Sequence, residues 1–324
     1  MDYRLLGHTG VKVSQLCFGT MSFGDTADEA ESAKMFNRCL DLGINFFDCA
    51  NVYAGGRSEE ILGKLMADCR DDLVITTKVV TPVDNGINSG GASRRHLQMQ
   101  VEKSLKRLNT DRIDVYFLHH FDPNLPVEEV LRALDDLVHQ GKILYPAVSN
   151  WSAWQTAKAL GVSACEGLAR IECIQPMYNL VKRQAEVEIF PLAQAENVGV
   201  IPYSPLGGGL LTGKYTTTQR PDQGRLVENQ MYTARYSEDL YYEVATRFNN
   251  YAQEKGVHPA TLAVAWVMAN PAVTAPIIGA RNLEQLEASL AALDVEMTAA
   301  LYDEISALSP TPPPAHDRLE VQKQ

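Results

Sequence analysis

Three apolar segments of the sequence each end at a side chain that can carry a charge or exchange a proton. Asp48 ends the run INFFD, Lys78 ends LVITTK, and His119 follows IDVYFL, while Tyr53 lies five residues beyond Asp48. Each residue alone has an ordinary structural interpretation as a turn former, a solvated cation or a packed core histidine. A carboxylate, an ammonium, an imidazole and a phenol held together would be able to manage protons around a reacting group.

Addition of a hydride to a carbonyl carbon is one reaction that would use all four of these groups. This addition creates an alkoxide, so a proton donor must meet the oxygen as charge develops. Tyr53 is the candidate donor, but an unperturbed phenol has a pKa of about 10, and a nearby ammonium at Lys78 is expected to lower that pKa. Asp48 is expected to keep Lys78 charged in a partly dry site, and His119 to orient the carbonyl or share the proton.

The elements that must position these residues alternate along the chain. Eight short β-rich runs, counted from QLCFG, are separated by longer segments with apolar residues at steps of three and four, including residues 28–43, 93–109, 126–142 and 183–199. This alternation predicts parallel strands joined by crossover helices. With no composition break to mark a linker, residues 1–324 are predicted to form one (β/α)8 TIM barrel domain, with a doubly wound sheet as the alternative.

Three segments fall outside the eight repeats. Residues 1–15 alternate around a glycine-rich turn and predict an N-terminal β-hairpin. Residues 207–237, a long loop after the seventh strand, are the longest irregular stretch, which is typical of a functional flap or cofactor clamp. Residues 310–324 are predicted to be an extended C-terminal tail. Because active sites of such barrels lie at the C-terminal ends of the strands, the three strand-end side chains are expected to meet at one rim.

The composition of the chain argues against some classes of binding partner. The net charge of −11 argues against nucleic acid, because phosphate backbones are bound by basic faces. The most apolar segment, residues 261–273, is interrupted by Pro271 and is too short to span a bilayer, so no membrane partner is expected. The six cysteines are scattered without a C-x-x-C pair, and the first residues lack a signal-peptide core, which together predict a cytoplasmic protein.

Five stretches of the sequence carry a resemblance to a known family. They follow one another along almost the whole chain: NFFDCANVYAGGRSEEILG, VITTK, RLNTDRIDVYFLHH, PYSPLGGGLLTGKY and PIIGARNLEQLEASL. In this order they resemble the aldo-keto reductases, within the branch of NADPH-dependent carbonyl and aryl-alcohol dehydrogenases. The resemblance implies that Asp48, Tyr53, Lys78 and His119 form a catalytic tetrad, and that a nicotinamide cofactor reduces an aldehyde or ketone.

The resemblance also implies which residues bind the cofactor. One group would surround the nicotinamide and its ribose: Thr20, Met21, Asp48, Ser149, Asn150, Gln175 and Tyr203. A second group would line the phosphates: Ser204, Leu206, Gly208, Lys214 and Arg225. A third group would hold the adenosine phosphate end: Gly279, Arg281, Gln285 and Ser289.

Two features of the third group come from the residues themselves. A glycine at the start of the last barrel helix would offer backbone N–H groups and a positive helix end to a phosphate. Arg281 adds the charge that a 2′-phosphate requires, which favours NADPH over NADH; pairing with Glu284 or Glu287 is the alternative. The family usually has an acidic residue followed by asparagine where this chain has Ala288 and Ser289, so the hydrogen bonds to the adenine amine are expected to differ.

The sequence therefore predicts a cytoplasmic oxidoreductase that reduces a small carbonyl substrate with NADPH, using Tyr53 as proton donor and no metal. A second hypothesis is an NADP(H)-binding sensor with little turnover, which resembles the channel β-subunits of this superfamily; the intact His119 argues against it. A third is a metal-dependent hydrolase using His119, His120 and Asp122. Because strand neighbours alternate, His120 and the thiol of Cys49 are expected to point away from the tetrad. His120 is expected to shape the substrate pocket or to pack, and Cys49 to be a buried, unreactive thiol. The sequence predicts neither the substrate nor the oligomeric state.

Overall fold

The computed structural model describes residues 1–217, 221–222 and 224–316. Strands β1 (Tyr3–Leu5) and β2 (Lys12–Ser14) pair in antiparallel fashion at the start of the chain. The predicted N-terminal hairpin is therefore confirmed.

Eight parallel strands form the wall of a barrel. They are β3 (Cys17–Gly19), β4 (Phe46–Asp48), β5 (Val74–Val79), β6 (Ile113–Leu118), β7 (Ile143–Ser149), β8 (Cys173–Gln175), β9 (Gly199–Val200) and β10 (Ile277–Ile278). Strands β3 to β9 pair in chain order, and β10 pairs with β3. The amides of Thr274 and Ile277 donate hydrogen bonds to the carbonyl oxygens of Val200 and Pro202, which joins the β9 side to the β10 side. The (β/α)8 barrel is confirmed, and the doubly wound alternative is wrong.

Twelve helices surround or cap the strands in the described part of the chain. They are α1 (Glu29–Asp41), α2 (Arg57–Leu65), α3 (Arg94–Leu108), α4 (Val127–His139), α5 (Ala153–Glu166), α6 (Ile189–Ala195), α7 (Arg225–Glu228), α8 (Gln230–Arg235), α9 (Asp239–Glu254), α10 (Pro259–Ala269), α11 (Leu283–Leu290) and α12 (Ala299–Ser306). Helix α4 illustrates why they form, since Val127, Val130, Leu134 and Leu137 recur at steps of three and four and are all buried.

One predicted helix is shorter than its sequence pattern indicates. Residues 183–199 contain a 3₁₀ turn at Gln184–Glu186, and α6 begins only at Ile189. Pro191 lies in the first turn of α6, where its missing amide proton costs no helical hydrogen bond. The proline therefore sets where this helix begins.

The loop after β9 contains more regular structure than its sequence indicates. Residues 207–237 include a 3₁₀ segment at Gly207–Thr212 and the short helices α7 and α8, while residues 218–220 and 223 lie outside the described residues. In the predicted tail, residues 310–316 form neither helix nor strand, and residues 317–324 are not among those described.

The most apolar helix, α10, packs inside the protein. Its Trp266 is fully buried, with the ring of Tyr178 at a centroid distance of 5.1 Å and that of Tyr302 at 5.6 Å. Within the described residues, no helix is both long enough and apolar enough to cross a lipid bilayer.

Candidate active site

Adjacent strands bring the acid and the ammonium together at one rim of the barrel. Asp48 is the last residue of β4, and Lys78 is the penultimate residue of β5, which pairs with β4. The Lys78 Nζ atom lies 2.6 Å from Asp48 Oδ2 and 3.2 Å from the Tyr53 hydroxyl oxygen. His119 follows the last residue of β6 directly, and its ring centroid is 6.2 Å from that of Tyr53. The structure thus brings the four predicted residues together.

Every proton of the Lys78 ammonium is engaged. Besides Asp48 and Tyr53, the Nζ atom donates a hydrogen bond of 2.7 Å to the backbone carbonyl of Cys49. An ammonium has three donors and no acceptor, so these three contacts use its full capacity. In the contact with Tyr53, the phenolic oxygen must therefore accept, and its own O–H proton is directed elsewhere.

The Asp48 carboxylate is held by three side chains. In addition to Lys78 on Oδ2, Thr76 Oγ1 donates to Oδ1 at 2.7 Å and Gln175 Nε2 donates to Oδ1 at 2.9 Å. Thr76 is absent from the sequence-predicted site, yet it lies two residues before Lys78 on the same strand. The two-residue alternation of a strand places Thr76 and Lys78 on one side, and that signal would have found it.

Burial and the neighbouring charges shift the pKa of Lys78 in opposite directions. Burial alone would lower the pKa of the ammonium, while Asp48 and then Tyr53 raise it, and the net result is a pKa above the ordinary value. The side chains of Lys78 and Asp48 are 0% and 4% exposed, so solvent screens their attraction very little. Lys78 is therefore an ammonium at neutral pH, as the sequence predicts.

The pKa of Tyr53 differs from the sequence prediction in its net value. Burial raises the pKa to about 12; Lys78 lowers it, as the sequence predicts, but not by enough to bring it below the ordinary value, and Asp48 raises it. The reason is that desolvation of the phenolate outweighs the attraction of an ammonium whose charge is shared with a carboxylate. At neutral pH, Tyr53 is consequently a protonated phenol.

His119 is a neutral imidazole at neutral pH. Burial lowers its pKa to about 3, and the charges of Lys78 and His120 add to this shift. Its Nδ1 atom is buried and has no hydrogen-bond partner among the described residues. His120 is exposed and also lines the cavity described below. His119 is thus suited to orienting a ligand oxygen by a hydrogen bond rather than to supplying a proton.

A tight turn presents the Tyr53 phenol to the rim. Residues Tyr53–Gly56 form a 3₁₀ turn in which Ala54, Gly55 and Gly56 have φ angles of 48°, 65° and 98°. The left-handed backbone at Gly56 favours glycine there, and a Cβ atom would in addition displace the Arg107 side chain, whose Cδ atom would lie at 2.9 Å. The glycine pair thus lets the chain reverse between the tyrosine and helix α2.

A cavity of about 740 Å³ extends from this rim to the start of helix α11. Most of the sequence-predicted residues line it: Met21, Asp48, Tyr53, His119, Ser149, Asn150, Gln175, Tyr203, Ser204, Leu206, Gly208, Lys214, Arg225, Gly279, Arg281 and Gln285. The volume lies within the range of ligand and cofactor sites.

Three predicted residues lie outside the cavity lining. Lys78 is fully buried behind Asp48 and Tyr53. The Thr20 hydroxyl contacts the Asp48 carbonyl oxygen at 3.1 Å, and it is buried in the wall. Ser289 is buried in α11, and its Oγ atom has no partner among the described residues; Ala288, not Ser289, faces the cavity. Helical geometry places consecutive residues about 100° apart, so the two positions cannot face the same way.

The nicotinamide corner predicted from the sequence is a connected hydrogen-bond network. The Asn150 amide donates to the His119 carbonyl oxygen at 2.9 Å and accepts from the Tyr203 hydroxyl at 2.7 Å. The Ser149 hydroxyl donates to the Gln175 carbonyl oxygen at 2.9 Å. These bonds fix the ends of four neighbouring strands relative to one another.

The far end of the cavity is basic. The basic side chains of Lys214, Arg225 and Arg281 line the cavity, and so does that of Arg235, which the sequence pattern did not indicate. Both Arg225 and Arg235 lie over the ring of Tyr232, at 5.1 and 5.0 Å from its centroid. Such clustered cations suit a phosphate-bearing ligand.

Arg281 forms an ion pair with neither of the two carboxylates, Glu284 and Glu287, that the sequence offered as partners. Its Nη2 atom lies 3.7 Å from Glu228 of helix α7, whereas Glu287 forms an ion pair with Arg38 at 2.6 Å. The Arg281 backbone amide donates to Gln285 Oε1 at 3.2 Å. An ion pair thus links the loop after β9 to the segment before helix α11.

Two of the side chains proposed for a metal-dependent hydrolase, Asp122 and His120, contact nearby backbone atoms. The Asp122 carboxylate accepts hydrogen bonds from the amides of Ala92 and Asn124 at 2.8 and 3.0 Å, and His120 Nδ1 lies 3.2 Å from the Phe121 carbonyl oxygen. Among the described residues, no group of three or more histidine, cysteine, aspartate or glutamate side chains could hold a metal ion.

Comparison with known proteins gives matches along nearly the whole chain. A family model described as the Aldo/keto reductase family matches residues 15–310. The chain is 36% identical to "Uncharacterized oxidoreductase YrpG" of Bacillus subtilis (strain 168), over 96% of this chain and 97% of that protein. It is 38% identical to "Probable voltage-gated potassium channel subunit beta" of Oryza sativa subsp. japonica, over 97% and 98%. It is 33% identical to "Norsolorinic acid reductase B" of Dothistroma septosporum, over 96% and 82%. The chain belongs to the aldo/keto reductase family.

Proposed function

We propose that this protein reduces aldehydes or ketones to alcohols with NADPH, and that Tyr53 donates the proton. The observation that supports this is the 3.2 Å contact in which the Lys78 ammonium donates to the Tyr53 oxygen. That contact leaves the phenolic proton free to be donated, at a point where the oxygen lines a cavity large enough for substrate and cofactor.

The residues along the cavity fit a phosphorylated dinucleotide. The nicotinamide end would be held by Ser149, Asn150 and Tyr203, whose side chains form the network described above. The phosphate end would be held by basic side chains, with Arg281 on the 2′-phosphate. When bound, NADPH would supply the hydride that is added to the carbonyl carbon.

The tetrad residues would then manage the proton and the charge. Tyr53 transfers its phenolic proton to the carbonyl oxygen, which becomes the hydroxyl of the product alcohol. A phenol with a pKa of about 12 remains an acid toward an alkoxide, which is a far stronger base. Lys78 stabilises the phenolate that is left, Asp48 keeps Lys78 charged, and Tyr53 regains a proton from solvent.

His119 has a separate role in this proposal. A neutral imidazole carries one N–H donor, and that donor would bind the carbonyl oxygen and align it with Tyr53. The polarised oxygen would thereby receive two hydrogen bonds in the transition state. We propose a cytoplasmic location on the composition of the chain alone.

A second candidate function is cofactor sensing with little turnover. It is favoured by the relatives named as potassium channel β-subunits, which match over almost their full length. All four tetrad residues are present, so the two functions differ in rate rather than in residue content.

Turnover on a panel of carbonyl compounds tests the proposal. NADPH oxidation would be followed by absorbance with aliphatic and aryl aldehydes, ketones and sugars, with NADPH binding measured by fluorescence on the same preparation. Catalytic turnover of at least one compound is expected. Tight NADPH binding without turnover of any compound would favour the sensor, and absence of NADPH binding would contradict both functions.

A further inference from the structure

A buried carboxylate that the proposed chemistry does not use lies close to the tetrad in the sequence. Glu59 belongs to the first turn of helix α2, a short distance beyond Tyr53, and it is 0% exposed. It is not among the residues that line the large cavity, so it would contact neither substrate nor cofactor. A carboxylate is rarely buried unless it is paired, and its partners therefore indicate what it does.

The partners of Glu59 come from two other elements of the barrel. Its Oε1 atom accepts a hydrogen bond of 2.5 Å from the Thr77 hydroxyl on β5. Its Oε2 atom accepts one of 2.6 Å from Arg107 Nε on helix α3, and Nη2 of the same guanidinium also lies at 2.6 Å. One carboxylate thus joins the start of α2 to both β5 and α3.

The hydrogen bond with Thr77 ties helix α2 to the strand that carries the ammonium of the tetrad. Thr77 directly precedes Lys78 on β5, and the alternation of a strand directs the two side chains to opposite sides. Lys78 contacts Asp48 and Tyr53, whereas Thr77 contacts Glu59. The position of α2 relative to Lys78 is therefore fixed through this bond.

The ion pair with Arg107 supports the turn that begins at Tyr53. Residues 54–56 all have positive φ angles, although the first of them is an alanine. A backbone of this kind persists only where its surroundings hold it in place. The Arg107 side chain packs closely against Gly56 at the end of the turn, and Glu59 holds that side chain.

We propose, on the basis of the proposed function in which Tyr53 donates its proton, that Glu59 is a positioning residue for the contact between Lys78 and Tyr53. Through Thr77 and Arg107 it holds the strand that carries the ammonium and the turn that carries the phenol, and so sets their 3.2 Å separation. Removal of its charge leaves Arg107 without its ion-pair partner, which loosens the turn. The phenol is then misplaced, and this lowers the rate rather than the cofactor affinity.

Glu59→Gln tests this role in the full-length protein. Single-turnover reduction of a carbonyl compound that the wild type accepts gives the rate constant and its dependence on substrate concentration, and fluorescence titration gives the dissociation constant of NADPH. The rate constant is expected to fall by about ten- to a hundredfold, the effect of a misplacement of about 1 Å. The NADPH dissociation constant and the KM for the carbonyl compound should stay nearly unchanged.

Asp114→Asn is the matched control. Asp114 lies near the start of β6, at the opposite end of the barrel from the tetrad, and its Oδ2 atom accepts from Arg70 at 2.7 Å and from the Ile75 amide at 2.9 Å. The Arg70 and Asp114 side chains are 11% and 13% exposed, so this ion pair is also largely shielded from solvent. Asp114→Asn should lower the free energy of unfolding, as Glu59→Gln does, but keep the wild-type rate constant.

Two variants of Thr77 keep the test decisive if Glu59→Gln fails to fold. Thr77→Val preserves the shape of the side chain and removes the hydroxyl that donates to Glu59, whereas Thr77→Ser keeps that hydroxyl. The rate constant should fall by about two- to tenfold in Thr77→Val, the usual worth of one hydrogen bond. It should be close to the wild-type value in Thr77→Ser.

An NMR measurement separates failure of the positioning role from failure of the proposed function. With tyrosine labelled with ¹³C at Cζ, the Tyr53 resonance, assigned through Tyr53→Phe, reports the surroundings of its hydroxyl without any turnover. This resonance should shift in Glu59→Gln and Thr77→Val and remain in place in Asp114→Asn. If the wild type reduces no compound and the resonance shifts in this way, the proposed function fails and the positioning role stands.

Two results would overturn the positioning role. One is a Tyr53 resonance and a rate constant that stay at their wild-type values in both Glu59→Gln and Thr77→Val. The other is an equal loss of rate in Glu59→Gln and Asp114→Asn, because it would show only the general effect of removing a shielded ion pair.

Discussion

The two ends of the large cavity are built on different physical principles. At the rim, Lys78 and Asp48 are 0% and 4% exposed and 2.6 Å apart, and every donor of the ammonium has a partner. At the far end, Arg281 and Glu228 are 37% and 51% exposed and 3.7 Å apart. The rim is held by paired strands, whereas the far end depends on short helices and loops.

This difference in burial predicts that the rim and the far end respond differently to substitution. A buried ion pair loses much free energy when one partner is removed, because the other is left unpaired in a dry site. An exposed ion pair contributes at most about 1 kcal/mol, so it can exchange one partner for a ligand at little cost. We therefore expect changes at the rim to affect rate and stability, and changes at the far end to affect cofactor affinity.

The largest effect is expected for Lys78→Met. Loss of the ammonium should reduce the rate constant for carbonyl reduction by about 10²–10⁴-fold, because the phenolate left by proton transfer is no longer stabilised. It should also lower the free energy of unfolding by about 3–5 kcal/mol, because Asp48 is left as an unpaired buried charge. Single-turnover kinetics and urea unfolding measure the two effects.

A double variant separates the effect on rate from the effect on stability. In Asp48→Asn/Lys78→Met, both charges of this buried pair are removed, so the free energy of unfolding should recover much of its loss while the rate stays low. Recovery of both quantities together would mean that Lys78 acts only through stability.

Arg281→Ala sharpens the comparison at the far end. If Arg281 binds the 2′-phosphate, the dissociation constant of NADPH should rise by about ten- to a hundredfold, as expected for a charge-assisted hydrogen bond, and that of NADH far less. Fluorescence titration of both cofactors measures this. Equal losses for NADPH and NADH would remove Arg281 from the 2′-phosphate site, and unfolding stability should barely change.

The pH dependence of stability should reveal the lowered pKa of His119. Its pKa in the folded protein is about 3, below the ordinary value of 6.5, so between these values the unfolded chain binds a proton that the folded chain does not. Stability should therefore fall on acidification across this window, by up to about 1.4 kcal/mol per pH unit from this group. Urea unfolding at several pH values should show a shallower loss for His119→Gln than for the control His120→Gln. Equal slopes would contradict the burial of His119.

The smallest effect is expected for Glu228→Gln. Removing this exposed carboxylate frees Arg281 for the cofactor, so NADPH affinity should rise by at most about fivefold. Glu243→Gln on helix α9, an exposed carboxylate outside the cavity, is the control. A weaker NADPH affinity in Glu228→Gln would show that the ion pair with Arg281 supports binding instead of competing with it.

The contrast between the two ends also explains what the sequence could predict. Asp48, Lys78 and His119 each terminate an apolar run, and barrel topology alone brings such residues to one rim. The spacing of Tyr53 from Asp48 is likewise local in the sequence. These features depend on short-range patterns, and the structure brings the four residues together.

Features that depend on packing between distant segments were not predictable. The pairing of Arg281 with Glu228, and the place of Arg235 in the cavity wall, depend on how the loop after β9 folds across the barrel. The orientation of Ser289 depends on the rotation of helix α11. The raised pKa of Tyr53 results from burial, which a sequence motif does not measure.

The central claim is that Tyr53 donates the proton, and Tyr53→Phe tests it most directly. This variant keeps the ring and its packing and removes only the hydroxyl. The account predicts a single-turnover rate of carbonyl reduction that is lower by about 10²–10⁴-fold, with the NADPH dissociation constant unchanged. Tyr145→Phe, which loses a hydroxyl bonded to the Thr9 carbonyl oxygen outside the cavity, should keep the wild-type rate. A Tyr53→Phe variant that reduces the carbonyl as fast as the wild type would contradict the claim.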